Sequence, residues 1–116
     1  MGITINSGKK KIIINDIEEV SEFGKFRGLM FRRKEKARAL LFVFDKAARM
    51  AIHSFFVFFP FVAIWLDDKN RIIEKRFVMP FRLFVKPKKS FNKLLEVPIN
   101  KKYQKKILNL VGKRKV

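Results

Sequence analysis

His53 is the single histidine in a chain of 116 residues that has no cysteine. A general base needs an orienting carboxylate and a cleft, and neither is evident in the apolar run around it. Ser54 follows directly, but neighbours on a strand point to opposite faces, so it is badly placed as a nucleophile for His53. One imidazole without thiolates also makes a structural zinc site a poor fit. His53 therefore reads as a core or boundary residue, with contact to a pocket ligand as its functional alternative. Asp67 and Asp68 are adjacent acids, yet paired-carboxylate catalysis needs groups flanking a pocket. In Asp67-Asp68-Lys69-Asn70 they read as turn residues. Asp16, Glu18, Glu19 and Glu22 form a local acidic group whose expected partners are the chain's own cations or a helix N-terminus. Gly24 and Gly28 fit neither of the phosphate-cradling glycine patterns. With no paired catalytic groups, the expectation is a non-enzymatic domain without cofactor or metal.

Charge is the strongest compositional signal. Lysine and arginine number 28 against 10 acids, a formal net charge of +18. Such an imbalance favours an anionic partner. Residues 25–49 carry nine cations and two acids, and residues 82–116 carry twelve and one. If these segments meet on one face they form a footprint for a phosphate backbone or another polyanion. The candidate anion-binding residues are Arg32, Arg33, Lys34, Arg38, Lys101, Lys102, Lys105 and Lys106. Arg32 is singled out because a guanidinium leaving a packed motif offers a fixed fork to a carboxylate or phosphate. Phe81, Phe84 and Phe91 lie among basic residues and would serve for stacking if exposed. Exposed phenylalanines near residues 102–106 would instead suit a peripheral membrane contact.

These groups must be placed by elements whose signals are mostly β. Residues 3–5 and 9–14 are β-branched runs flanking Asn6-Ser7-Gly8, which predicts a hairpin with a three-residue loop and Gly8 left-handed. A short helix is expected after Ser21, ending at Gly28, with an earlier start capped by Asp16 as the alternative. Residues 39–44 read as a strand buried on both faces, and residues 45–50 as a connector with helical character. The uncharged stretch 52–66 organises the chain. Pro60 divides it into strands 52–58 and 61–66, or bends one strand. At fifteen residues it is too short to span a bilayer, which takes roughly 20. Residues 71–78 return antiparallel after the 67–70 turn, and 81–86 is irregular between Pro80 and Pro87. Residues 94–97 form a short strand. Asn100 then caps a helix over 101–110, with Tyr103, Ile107, Leu110 and Val111 as its apolar stripe.

The segment Arg27-Gly28-Leu29-Met30-Phe31-Arg32, the strand Leu41-Phe42-Val43-Phe44, and Pro60 seven residues before Asp67 together resemble the DUF192 family, also called UPF0127. The resemblance covers residues 12–116 and implies a compact, mostly-β domain, with no reaction to inherit. Many members carry W-M-K-N-T after the buried strand and then Pro-Leu-Asp. Here His53 and Ser54 stand at the Trp and Met, Phe55 and Phe56 at the Lys and Asn, Val57 at the Thr, and Phe61 and Val62 at the Leu and Asp. Hydrocarbon replaces that polar cluster.

The expected architecture is an α+β, mostly-β fold: one domain over 1–112, a compact antiparallel barrel-like sheet with two short helices, and a basic tail at 113–116. The expected function is a small binding or interaction domain that contacts a polyanion, nucleic acid included, through its basic surface. The alternative is a ligand-binding or enzymatic barrel with an apolar pocket near His53 and Arg32. No leader-like segment appears, so a cytoplasmic location is expected. Scarce glutamine with abundant Lys, Ile and Phe suits a thermophile.

Overall fold

The computed structural model describes residues 2–20, 33–48, 57–82 and 85–111. Its strands are β1 (Ile3–Ser7), β2 (Lys10–Ile14), β3 (Ile17–Val20), β4 (Ala39–Ala48), β5 (Phe61–Leu66), β6 (Ile72–Val78) and β7 (Phe91–Pro98), followed by the helix α1 (Gln104–Val111).

β1 and β2 form a hairpin of their own, paired from Ile3 opposite Ile14 to Ser7 opposite Lys10. That register leaves two loop residues, Gly8 and Lys9, where the sequence suggested three. Gly8 takes φ 60° while Lys9 is not left-handed, the pattern of a type II′ turn, which fits the twist of the flanking strands. Period-two alternation then buries Ile3, Ile5, Ile12 and Ile14 and leaves Ile13 exposed. Asn6 fastens the hairpin to the β5–β6 turn: its amide N–H donates to Asn70 O (2.8 Å) and its Nδ2 to Lys69 O (3.2 Å).

The remaining strands make one sheet in the order β3-β4-β7-β5-β6. β3 and β4 are parallel and every other pair is antiparallel. All six residues of β5 are buried, as expected for a strand with neighbours on both sides and both faces covered. An aliphatic layer lies on one face, where Leu41, Val62, Ile64 and Leu95 pack with the hairpin isoleucines and with Tyr103 and Ile107. The other face is aromatic: Phe42, Phe59, Phe61, Trp65 and Phe91 cluster with Leu40 and Leu94. Trp65 and Phe91 meet edge-on at 6.5 Å, a favoured geometry for rings carrying opposed face and edge charge.

The mostly-β α+β expectation holds, but the sheet is open and not a closed barrel, with β3 and β6 as its edges. A parallel pair at one edge prevents the simple meander that an up-and-down barrel needs. There is one helix among the described residues. The earlier helix start at Asp16 is corrected, since residues 17–20 are a strand held by β4. The expected helix from Ser21 to Gly28 lies outside the described residues. β4 continues to Ala48 through a register shift after Val43, so strand pairing overrides the helical character read at 45–48. The short strand read at 94–97 is the eight-residue β7, the centre of the sheet. Residues 57–60 are irregular, with Pro60 O accepting from Ile99 N at 3.1 Å. Residues 52–56, including His53, lie outside the described residues.

Candidate functional site

The two basic segments meet where the turn at residues 33–37 lies against the start of α1. The turn closes on itself, with Arg33 O accepting from Lys36 N (3.2 Å) and Ala37 N (2.9 Å). Asn100 then joins it to the helix. Its Nδ2 donates to Lys34 O (2.8 Å) and Ala37 O (3.0 Å), and its Oδ1 accepts from Tyr103 N (3.3 Å). The bond expected of Asn100 is present, but it closes the turn at 101–103, and the helix begins at Gln104 and not at 101 as expected; the same side chain is a bracket between segments 63 to 66 residues apart. Only 4 % of Asn100 is exposed, so these bonds offset the cost of burying an amide. Glu35 adds a third tie by accepting from Lys101 N at 3.0 Å.

Beside this junction is an internal clamp. The Asp16 carboxylate pairs with Lys102 Nζ (2.5 Å) and Arg38 Nε (3.0 Å), and Arg38 Nη2 donates to Ile17 O at 3.3 Å. The Lys102 hydrogen bond is the main reason the Asp16 carboxyl sits below its ordinary pKa, and the same bond raises that of Lys102. Beneath it, Tyr103 Oη accepts from Ala39 N (2.8 Å) and donates to Asp16 O (2.6 Å). Burial pushes the phenol pKa up.

The eight candidate anion-binding residues therefore separate. Arg38 and Lys102 share the Asp16 carboxylate, with Glu18 also 3.9 Å from Arg38, and hold the fold. Arg33, Lys34, Lys101 and Lys105 are exposed and Lys106 half-buried, and none of these five has a carboxylate partner among the described residues. Arg32 lies outside the described residues, as does His53. Lys34 and Lys101 line a cleft of about 330 Å³ together with Ile99, Gln104, Ile107 and Leu108. Leu108 was missed from the sequence because it lies one position off the Tyr103–Ile107 stripe. It is 46 % exposed.

Of the three phenylalanines offered for stacking, Phe91 is fully buried, a correction that follows from its central strand. Phe84 lies outside the described residues. Phe81 is exposed, at a left-handed φ of 64°, with its ring edge-on to exposed Phe58 at 5.6 Å. Neither lines the cleft.

A second group unremarked in the sequence is Glu96. It occupies the central strand opposite Leu40 and Ala63, with 7 % of its surface exposed. Burial alone pushes its carboxyl up to about 8. The visible signal was an acid inside the apolar run Leu94-Leu95-Glu96-Val97. Among the described residues, no three metal-ligating side chains gather, and no helix is long and apolar enough to cross a membrane.

A small open sheet with a hairpin and helix on one face, and an aromatic layer on the other, defines the class of domain. The DUF192 profile, described as "Uncharacterized ACR", matches residues 6–108. The chain belongs to the DUF192 family. It is 34 % identical over 98 residues to a UPF0127 protein of Thermococcus kodakarensis, covering 82 % of this chain and 61 % of that protein. The chain thus spans about three fifths of that relative's length. A UPF0127 protein of Pyrococcus abyssi is 29 % identical over 101 residues, covering 85 % of each. These relatives come from thermophilic archaea. A crystal structure of a protein of unknown function from Novosphingobium aromaticivorans superposes with a TM-score of 0.69 at 13 % identity. It covers 96 % of this chain and 77 % of that one, a likeness of fold.

Proposed function

We propose that this domain is a non-enzymatic binding module that contacts a polyanion through the face where the 33–37 turn meets α1. The observation that carries the reading is the junction itself. Segments far apart in sequence are bracketed by Asn100 and Glu35, so Arg33, Lys34, Lys101 and Lys105 share one rigid neighbourhood. A rigid array of cations loses less freedom on binding than scattered, mobile lysines. Arg38 and Lys102 contribute indirectly, by fixing the backbone that carries the other four.

Fluorescence anisotropy with labelled single-stranded DNA, RNA and poly-glutamate at increasing salt tests the reading. Micromolar binding that weakens linearly in log salt is expected, because displaced counterions drive it. Reversing Arg33, Lys34, Lys101 and Lys105 to glutamate should cost at least about tenfold in affinity. Reversing Lys9, Lys11 and Arg71, which line a separate groove, should cost far less. Equal losses in the two variants, or binding indifferent to salt, would overturn the assignment to this face.

A further inference from the structure

The same face holds an apolar cleft that a bare row of phosphates would leave unfilled. Resting on the polyanion-face reading, we infer that the partner is an acidic protein segment carrying one apolar anchor, which seats between the 33–37 turn and α1.

Three observations carry this. The lining is hydrocarbon at Ile99, Ile107 and Leu108, and Leu108 keeps almost half its surface in solvent. An exposed leucine inside a concavity gains by being covered, whereas the same leucine on a convex surface is ordinary. Next, two exposed cations share the lining. Lys34 and Lys101 line the cleft with the apolar residues and have no carboxylate partner among the described residues, so an occupant with acids beside its anchor can meet both. Glu35 is the one acid among the described lining residues, and it is engaged with the Lys101 backbone amide. Finally, no aromatic ring lines the cleft among the described residues. Single-stranded nucleic acid is usually held by stacking its bases on rings, and here a base would meet aliphatic groups alone. A volume of about 330 Å³ lies at the low end for ligand pockets and suits one or two side chains better than a folded surface.

The recognition is therefore of two kinds at once. Charge in the lining would set the encounter rate and its salt dependence, and the anchor would set the residence time. The cleft needs no rearrangement for this, because Asn100 already fixes its two walls relative to one another.

The test compares three probes on the intact chain by isothermal titration and by amide shifts in two-dimensional NMR. The first is a capped peptide of aspartate and glutamate around a central Leu-Phe pair. In the second, serine replaces both anchors, and the third is oligothymidylate. The anchored peptide should bind about tenfold or more tighter than the serine peptide, a difference of about 1.4 kcal/mol. Amides of residues 99–108 should shift with it. Leu108→Asp should abolish the preference for the anchor while the chain keeps its unfolding midpoint, since Leu108 is exposed. Should Leu108→Asp unfold, Leu108→Ala provides the same comparison with a smaller loss. Equal binding of the two peptides, or shifts outside the cleft, overturns the inference while leaving the polyanion face in place. Oligothymidylate binding more tightly than the anchored peptide overturns it too. Failure of all three probes to bind would remove both readings.

Discussion

Glu96 is the side chain whose chemistry is least like that of its surroundings. A carboxyl held at about 8 by burial, against an ordinary 4.5, favours folding while it is protonated. Its contribution is fully present below pH 4.5, declines as pH rises, and is gone by about pH 8, at ~1.4 kcal/mol per unit. Glu96→Gln should therefore match the parent near about pH 5 and unfold at a higher temperature above about pH 8. Melting curves across that range check it; parallel curves for the two proteins would show that Glu96 does not titrate in this window. Tyr103 makes a different kind of contribution, through its hydroxyl. Tyr103→Phe removes the acceptor for Ala39 N and the donor to Asp16 O, leaving a buried amide unpaired. A loss of about 1–3 kcal/mol is expected, read from the urea midpoint with an unchanged slope.

Among the elements, the hairpin depends most on one backbone angle. At Gly8 no atom crowds an added Cβ, so the effect of Gly8→Ala is set by its φ of 60°. A loss of about 1–2 kcal/mol is expected, seen as faster hydrogen exchange in β1 and β2. This hairpin, the 67–70 turn, the β5–β6 return and the final helix were all legible in the sequence, because each is specified by neighbours in the chain. Gly8, Asn70 and Asn100 sit where turn and cap chemistry puts them. What escaped notice was set by distant partners. The four residues 45–48 carry helix-favouring alanines, yet they continue β4 and Ala48 pairs with Phe91 of β7. Residues 17–20 follow a plausible cap, yet β4 takes them into the sheet. The barrel expectation failed for the same reason, since strand order is not written in any local pattern. At the site, the cations were named correctly as residues. Which of them Asp16 would pair with, and that Leu108 would stay exposed, depended on contacts across 86 and about 70 residues.

For the whole molecule, the strand order has an effect on synthesis. β7 is the last strand along the chain and lies at the middle of the sheet, between β4 and β5. β4 and β5 have no ladder to each other; each pairs with β7. A nascent chain ending before residue 91 can make the parallel pair β3–β4 and the antiparallel pair β5–β6, but no backbone ladder joins the two pairs. Truncation at residue 90 should give a chain without a cooperative melt that binds a hydrophobic dye, and adding a peptide of residues 91–111 should restore the transition. A sharp melt from the truncated chain alone would contradict this. Until β7 emerges from the ribosome, the largely apolar edges of β4 and β5 wait unpaired, and such edges are sites of aggregation. The excess of 20 cations over 9 acids already present in residues 1–90 then acts at a stage before any partner is met. It keeps nascent copies on neighbouring ribosomes apart during the interval in which the sheet lacks its middle.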